Sequence, residues 1–302
     1  MTDSIVHFAL LLLLPPLLLG VINRVKSFFG GRRGPPLLQT WRDILKLARK
    51  EVVLSSTTSW IFRAGPAITL AALLVAGALL PFGSRPAPVG FAGDLVLFAY
   101  LFGLARFFTT AAALDTGSAF EGMGASREVT FAFLAEPALF LALLALARLS
   151  GSLDLGGILL GPAGGFTPAT AAPLILIALG LFITLLAETS RIPVDDPNTH
   201  LELTMIHEVM VLDHSGPLLG AILYSSSIRL MLLGSVLLHI VIPFGFRGLL
   251  GDSLLYVGGL VGLAAVIGVI ESIMARFRMR RIPYLLTGAL LCTGAGFTLL
   301  AR

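Results

Sequence analysis

The chain has one cysteine among its 302 residues, Cys292, which lies inside an apolar run. A single thiol builds neither a disulfide framework nor a cysteine-ligated iron–sulfur cluster, so any redox centre has to belong to another chain. Charge is also scarce: 13% of residues are Asp, Glu, Lys or Arg, against about 25% in an ordinary soluble domain. No basic residue precedes the first apolar run, which has Asp3 ahead of it and Arg24 and Lys26 behind it. That order is the reverse of a secretory signal and predicts a retained first span. The net charge is +4, but most of the basic residues fall in two short loops between apolar runs, which is a topology signal and not a nucleic-acid surface.

What the chain does have is long apolar runs, with 56% hydrophobic residues and a mean hydropathy of +0.94. A run of about 20 residues spans a bilayer. Length and periodicity predict spans over 4–22, 59–81, 91–114, 129–149, 172–190, 217–243, 253–275 and 282–300. The expected fold is all-α: a polytopic integral membrane protein with about eight transmembrane helices, forming a single membrane domain over 1–302. The loops 23–58, 115–128, 191–216 and 276–281 hold 14 Lys and Arg, whereas the remaining loops and the tail hold Arg85, Arg148, Arg247 and Arg302. The positive-inside bias therefore places those four loops in the cytoplasm and both termini outside it.

In the first of these loops Asn23-Arg24-Val25-Lys26 and Gly30 to Pro36 are expected to be irregular. From Leu37 the apolar residues 37, 38, 41, 44, 45, 48 and 52 form a helical stripe opposite Arg42, Asp43, Lys46, Arg49 and Lys50. This pattern predicts an interfacial amphipathic helix, either a simple anchor or a guard of a lateral opening. The second loop, with Asp115, Glu121 and Arg127 among several glycines, has the backbone freedom of a segment packed against another subunit. It lacks the Lys-Ser/Thr of a phosphate-cradling loop.

Charges within spans are costly and mark sites. Arg106, Glu136, Arg229 and Glu271 fall in spans, and Glu188 closes one. Glu136, followed by Pro137, is either a structural partner for an arginine or a proton-carrying group. Between two spans lies Glu188 to Gly216, the densest polar segment of the chain, with Arg191, Asp195, Asp196, His200, Glu202, His207, Glu208, Asp213 and His214. Asp196 followed by Pro197 predicts a helix over about 197–213. On it the three histidines stand seven residues apart, about 10 Å, too far to share one metal. No metal site is expected in this chain. Glu202 would sit among apolar neighbours, suited either to proton exchange or to a salt bridge.

Glu188-Thr-Ser-Arg-Ile-Pro-Val-Asp resembles the Glu-Thr-Asn-Arg-Ala-Pro-Phe-Asp signature of the complex I membrane subunit 1 family. Asp195 to Glu208, Gly31 to Gln39, and Asp115 through Pro137 are similar to its formate hydrogenlyase subunit 4-like branch, found in group 4 membrane-bound [NiFe] hydrogenases. The resemblance covers nearly the whole chain. It implies a subunit with no redox centre of its own that docks a peripheral electron-transfer arm and couples its chemistry to proton or sodium translocation. Asn198 and His200 stand where complex I proteins usually have glutamates, which favours the hydrogenase branch. On this reading Glu136, Glu188, Glu202, Arg106, Arg229 and Glu271 form the ion path. Asp115, Glu121, Arg127, Arg191, Asp195, Asp196, His207, Glu208 and Asp213 serve partner docking. The nickel-iron site and iron–sulfur clusters would sit in hydrogenase-like large and small subunits, with antiporter-like membrane subunits alongside, in a prokaryotic cytoplasmic membrane. The alternatives are the quinone-site subunit of a complex I-like enzyme, with quinone as ligand, and an autonomous ion transporter.

Overall fold

The computed structural model describes residues 2–160, 168–195, 205–242, 244 and 248–301. Within them the helices are α1 (Thr2–Phe29), α2 (Gln39–Ala48), α3 (Trp60–Leu79), α4 (Asp94–Asp115), α5 (Ala119–Ser150), α6 (Leu155–Leu160), α7 (Pro168–Glu188), α8 (Gly216–Val241), α9 (Gly248–Ile273) and α10 (Ile282–Leu300). All but α2 and α6 are long and apolar enough to cross a membrane. The chain is thus an all-α, multi-pass membrane protein with eight spans. Helix α2 is amphipathic, as its stripe predicts. It lies against α8 and α1, with Arg42, Lys46 and Arg49 exposed.

Three local expectations are corrected. Helix α1 continues through Asn23 to Lys26, because nothing there breaks a helix before Gly30-Gly31, and Lys26 Nζ is held 2.7 Å from Glu271 on α9. The second loop is shorter than expected, since α5 starts at Ala119. Among its glycines Gly124 serves close approach: an added Cβ would press on Val209 Cγ1 and lie 2.9 Å from the Ile206 carbonyl oxygen. Finally, the helix expected over 197–213 does not form from Met205 onward, where an irregular stretch leads into a 3₁₀ turn, Glu208–Val211. Asp195 supplies the reason. Its Oδ2 accepts the main-chain N–H groups of Ile206 and His207, both at 3.1 Å, folding the segment back onto residue 195. Asp196–Thr204, with His200 and Glu202, lie outside the described residues.

Apolar side chains gain little by leaving lipid for one another, so membrane helices associate through close packing at small residues. Helix α10 meets α7 in this way. A Cβ on Gly180 would lie 2.8 Å from the Ala289 carbonyl oxygen, and one on Gly296 would lie 2.9 Å from that of Pro173. Glycine costs a helix about 1 kcal/mol relative to alanine, so its presence here reflects contact. Gly180→Ala should therefore lower the thermal midpoint of the purified chain. Gly258→Ala, on α9 with no atom within 4 Å of the added Cβ, should leave it unchanged or raise it.

Candidate functional site

The polar centre is built on Arg106 of α4, a side chain only 7% exposed. Each of its three guanidinium nitrogens faces a different carboxylate. Nε donates to Glu128 Oε1 at 3.1 Å, while Nη1 and Nη2 bond Glu136 and Glu188. Helix α5 contributes Glu128 and Glu136, and α7 contributes Glu188 as its last residue. A Schellman turn ends α7: the N–H of Ser190 bonds Ala187 O at 3.3 Å and that of Arg191 bonds Leu186 O at 2.8 Å, with Ser190 at φ +54°. From α8, Arg229 Nη1 reaches the Glu188 carbonyl oxygen at 3.4 Å and its Oε2 at 3.9 Å.

The cluster continues into the segment after α7. His207 Nε2 lies 3.2 Å from Glu128 Oε2, and its Nδ1 lies 3.7 Å from Asp195 Oδ2. Arg276 in turn approaches Asp195 Oδ1 at 2.9 Å. A cleft of about 10 Å³ lies among Arg106, Glu128, Glu188, Ile206 and His207, roughly the room one water needs. Most of these groups are buried, but the Glu136 side chain is 50% exposed. It lies beside Gly103 of α4, where an added Cβ would come within 3.9 Å of its Oε1.

Four carboxylates, Glu128, Glu136, Glu188 and Asp195, thus face three guanidiniums, Arg106, Arg229 and Arg276, and one imidazole. They balance only when His207 is protonated. Burial works against that charge, but the negative charges of Glu128 and Asp195 beside the ring outweigh it and raise the His207 pKa to about 9. Burial likewise opposes the Asp195 carboxylate, and its hydrogen bonds and charge contacts with His207 and Arg276 hold its pKa below the usual value. His214, buried and stacked on Phe62 with ring centres 3.9 Å apart, is pushed down to about 4 by desolvation.

Of the residues expected along an ion path, Arg106, Glu136, Glu188 and Arg229 converge. Glu271 lies in a separate cluster with Lys26 and Arg191, whose Nη1 is 3.3 Å away. The segment expected to face a partner is turned largely inward. Asp115 accepts the N–H groups of Ser59 and Phe62 at 2.7 and 3.2 Å, capping α3. Buried Glu121 accepts the Asp213 N–H at 3.0 Å, and Arg127 donates to the Met205 carbonyl at 2.9 Å. Arg191 and Asp195 are buried, Glu208 is half-buried in the 3₁₀ turn, and Asp213 is exposed; Asp196 lies outside the described residues. Sequence reasoning passes over Glu128, because the glycines before it read as loop. Taken as helix, the segment puts Glu121 and Glu128, seven residues apart, on one stripe. Among the described residues no three His, Cys, Asp or Glu side chains are grouped to hold a metal ion.

Eight spans enclosing a buried ion-pair network define a multi-pass membrane protein with a charged interior. The chain belongs to the NADH dehydrogenase family, whose model matches residues 3–301. It is 30% identical over 292 residues to formate hydrogenlyase subunit 4 of Escherichia coli (strain K12), covering 95% of this chain and 92% of that one. It is 33% identical over 242 residues to hydrogenase-4 component C of the same organism, covering 80% of this chain and 75% of that one. The fold matches, with a TM-score of 0.84 and 19% identity, a chain of the membrane-bound sulfane sulfur reductase, an archaeal respiratory membrane complex, over 99% of this chain and 100% of that one.

The pH dependence of stability follows from His207. Its pKa is raised in the fold, so its contribution is fully present below the unfolded value of about 6.5 and is lost as pH rises through about 9. Between those values the thermal midpoint of the wild type should fall, and His207→Gln should flatten that segment of the curve. A wild-type midpoint that rises over the interval would contradict the assignment.

Proposed function

We propose that this chain is the membrane subunit of an energy-converting oxidoreductase of the [NiFe]-hydrogenase or formate hydrogenlyase type. It docks the peripheral electron-transfer arm and couples electron transfer to proton or sodium translocation. The nickel-iron site and iron–sulfur clusters belong to hydrogenase-like large and small subunits, and antiporter-like subunits adjoin it in the membrane. The assembly sits in a prokaryotic cytoplasmic membrane, with both termini of this chain outside the cytoplasm. The names of the two relatives in Escherichia coli support this reading.

The observation that carries it is continuity. Charged contacts run from Arg276 and Asp195, on the segments joining spans, through His207 and Glu128 to Arg106, and end at the half-exposed Glu136. A redox event beside the loop that alters the charge near Asp195 or His207 changes the balance at Arg106. The response is a change in how Glu188 and Glu136 pair with Arg106. Glu202 and the Glu271 cluster serve the same path.

Gentle purification from native membranes, with co-purifying chains identified and hydrogen turnover assayed, tests the partner. A nickel-bearing large subunit with hydrogen activity supports the proposal. A nickel-free complex with quinone reductase activity moves the chain to the complex I-like alternative, and a chain that purifies alone yet moves ions in liposomes overturns both. Within the intact complex, Glu136→Gln should preserve assembly and electron transfer. It should lower ion translocation on the order of tenfold or more, given the 10²–10⁴ that a positioned acid–base group contributes. Arg106→Gln leaves buried carboxylates uncompensated, a loss of about 3–5 kcal/mol, and should abolish assembly.

A further inference from the structure

A second group of titratable side chains gathers at the end of the bundle where α1 begins, away from Arg106. His239, in the last turn of α8, lies between two main-chain carbonyls: Nδ1 is 2.7 Å from Ser235 O and Nε2 is 3.1 Å from Gly83 O. Carbonyls only accept, and a neutral imidazole donates from one nitrogen. Both contacts are hydrogen bonds at once only when the ring carries two protons.

The groups around it come from every neighbouring element. Helix α9 brings Tyr256, fully buried, with its hydroxyl 2.5 Å from Ser235 Oγ, and Asp252, also fully buried and packed by its main chain on Gly83. Helix α1 brings His7, whose Nε2 is 2.9 Å from Gly77 O and whose ring stacks on Phe82. At the rim Arg85 pairs with Asp3 and donates from Nε to Ser253 at 3.0 Å. None of these groups takes part in the Arg106 network. On α8, Arg229 and Ser235 are six residues apart, about 9 Å, and Leu230, Met231, Leu232 and Leu233 between them are buried. Along α8, buried apolar side chains therefore separate the two polar groups.

We propose that this end of the bundle is a proton-binding site centred on His239, exchanging with the side of the membrane that the start of α1 faces. One N–H bond forms at the ring as a proton arrives from solution, and it breaks when the proton returns. No other bond changes. The ring is held between the carbonyls of Ser235 and Gly83, with the ring of Phe244 4.9 Å away between centres. A group placed so can both take and release a proton. Its role as the outer end of ion translocation rests on the function proposed above.

The test is nitrogen-15 histidine spectroscopy on the full chain in liposomes, from pH about 5 to about 9, with His239→Gln assigning the signal. The expected result is a resonance protonated at both nitrogens that loses one proton as pH rises, with a midpoint that shifts in Tyr256→Phe. That variant removes only a hydroxyl and keeps the packing. In the intact complex, His239→Gln should lose the dependence of ion translocation on outer pH while electron transfer continues. One neutral tautomer throughout the range would overturn the site whatever the complex does. If His239 titrates in a complex that moves no ions, the site stands and the coupling function falls.

Discussion

One guanidinium holds together what the membrane would otherwise expel. Glu128 and Glu188 are buried, and each alone would be costly at that depth. Arg106 offers its donors in a fixed planar fork, and here each of its nitrogens is assigned to a separate acid from α5 or α7. A lysine in its place would present one compact charge and could not fix three carboxylates in three directions. Three spans are tied at this point. Through Arg229 the tie extends to α8, and through His207 to the segment that follows α7.

The same arrangement makes the network sensitive. A buried set of ion pairs is weak evidence for stability, since desolvation offsets much of the attraction. Its charge balance nonetheless matters, because low polarizability lengthens the reach of any imbalance. The arginines cannot release protons at ordinary pH. His207 and the carboxylates are the members able to change charge. Of these, Glu136 is half exposed, while His207 sits between Glu128 and Asp195 on the loop side. Disturbance at one end therefore has a defined route to the other.

Much of this was legible in the sequence, for a physical reason. An apolar run of span length admits few alternatives to a helix, so the eight spans follow from composition and length. Arg106, Glu136, Glu188 and Arg229 stand out because charge in such a run is costly. Their convergence was not legible, since it depends on helix rotations set by packing at residues such as Gly180 and Gly296. Glu128 was hidden for a related reason. Glycines ahead of it suggest a loop, but Gly124 is small because Val209 and the Ile206 carbonyl press on α5 there. The 205–213 segment misleads differently: its spacing suits a helix, and the Asp195 carboxylate captures the N–H groups of Ile206 and His207 instead.

The distribution of polar groups along α8 bears on how such a chain could serve ion movement. Ser225, Ser227 and Arg229 lie towards its start, and Ser235 and His239 towards its end, with buried apolar residues from Leu230 to Leu233 between. A continuous polar column would leak protons in proportion to the gradient, whatever the redox state of a partner. On α8 the buried Leu230, Met231, Leu232 and Leu233 form an apolar layer between the two polar ends. Near that layer α9 carries Gly258, Gly259 and Gly262 within one stretch, and a Cβ on Gly259 would already press on Leu238 at 2.8 Å. The packing of α8 against α9 is thus close where the barrier ends. The charge balance at Arg106 and the packing of those apolar side chains are the two features of the fold on which the proposed coupling would draw.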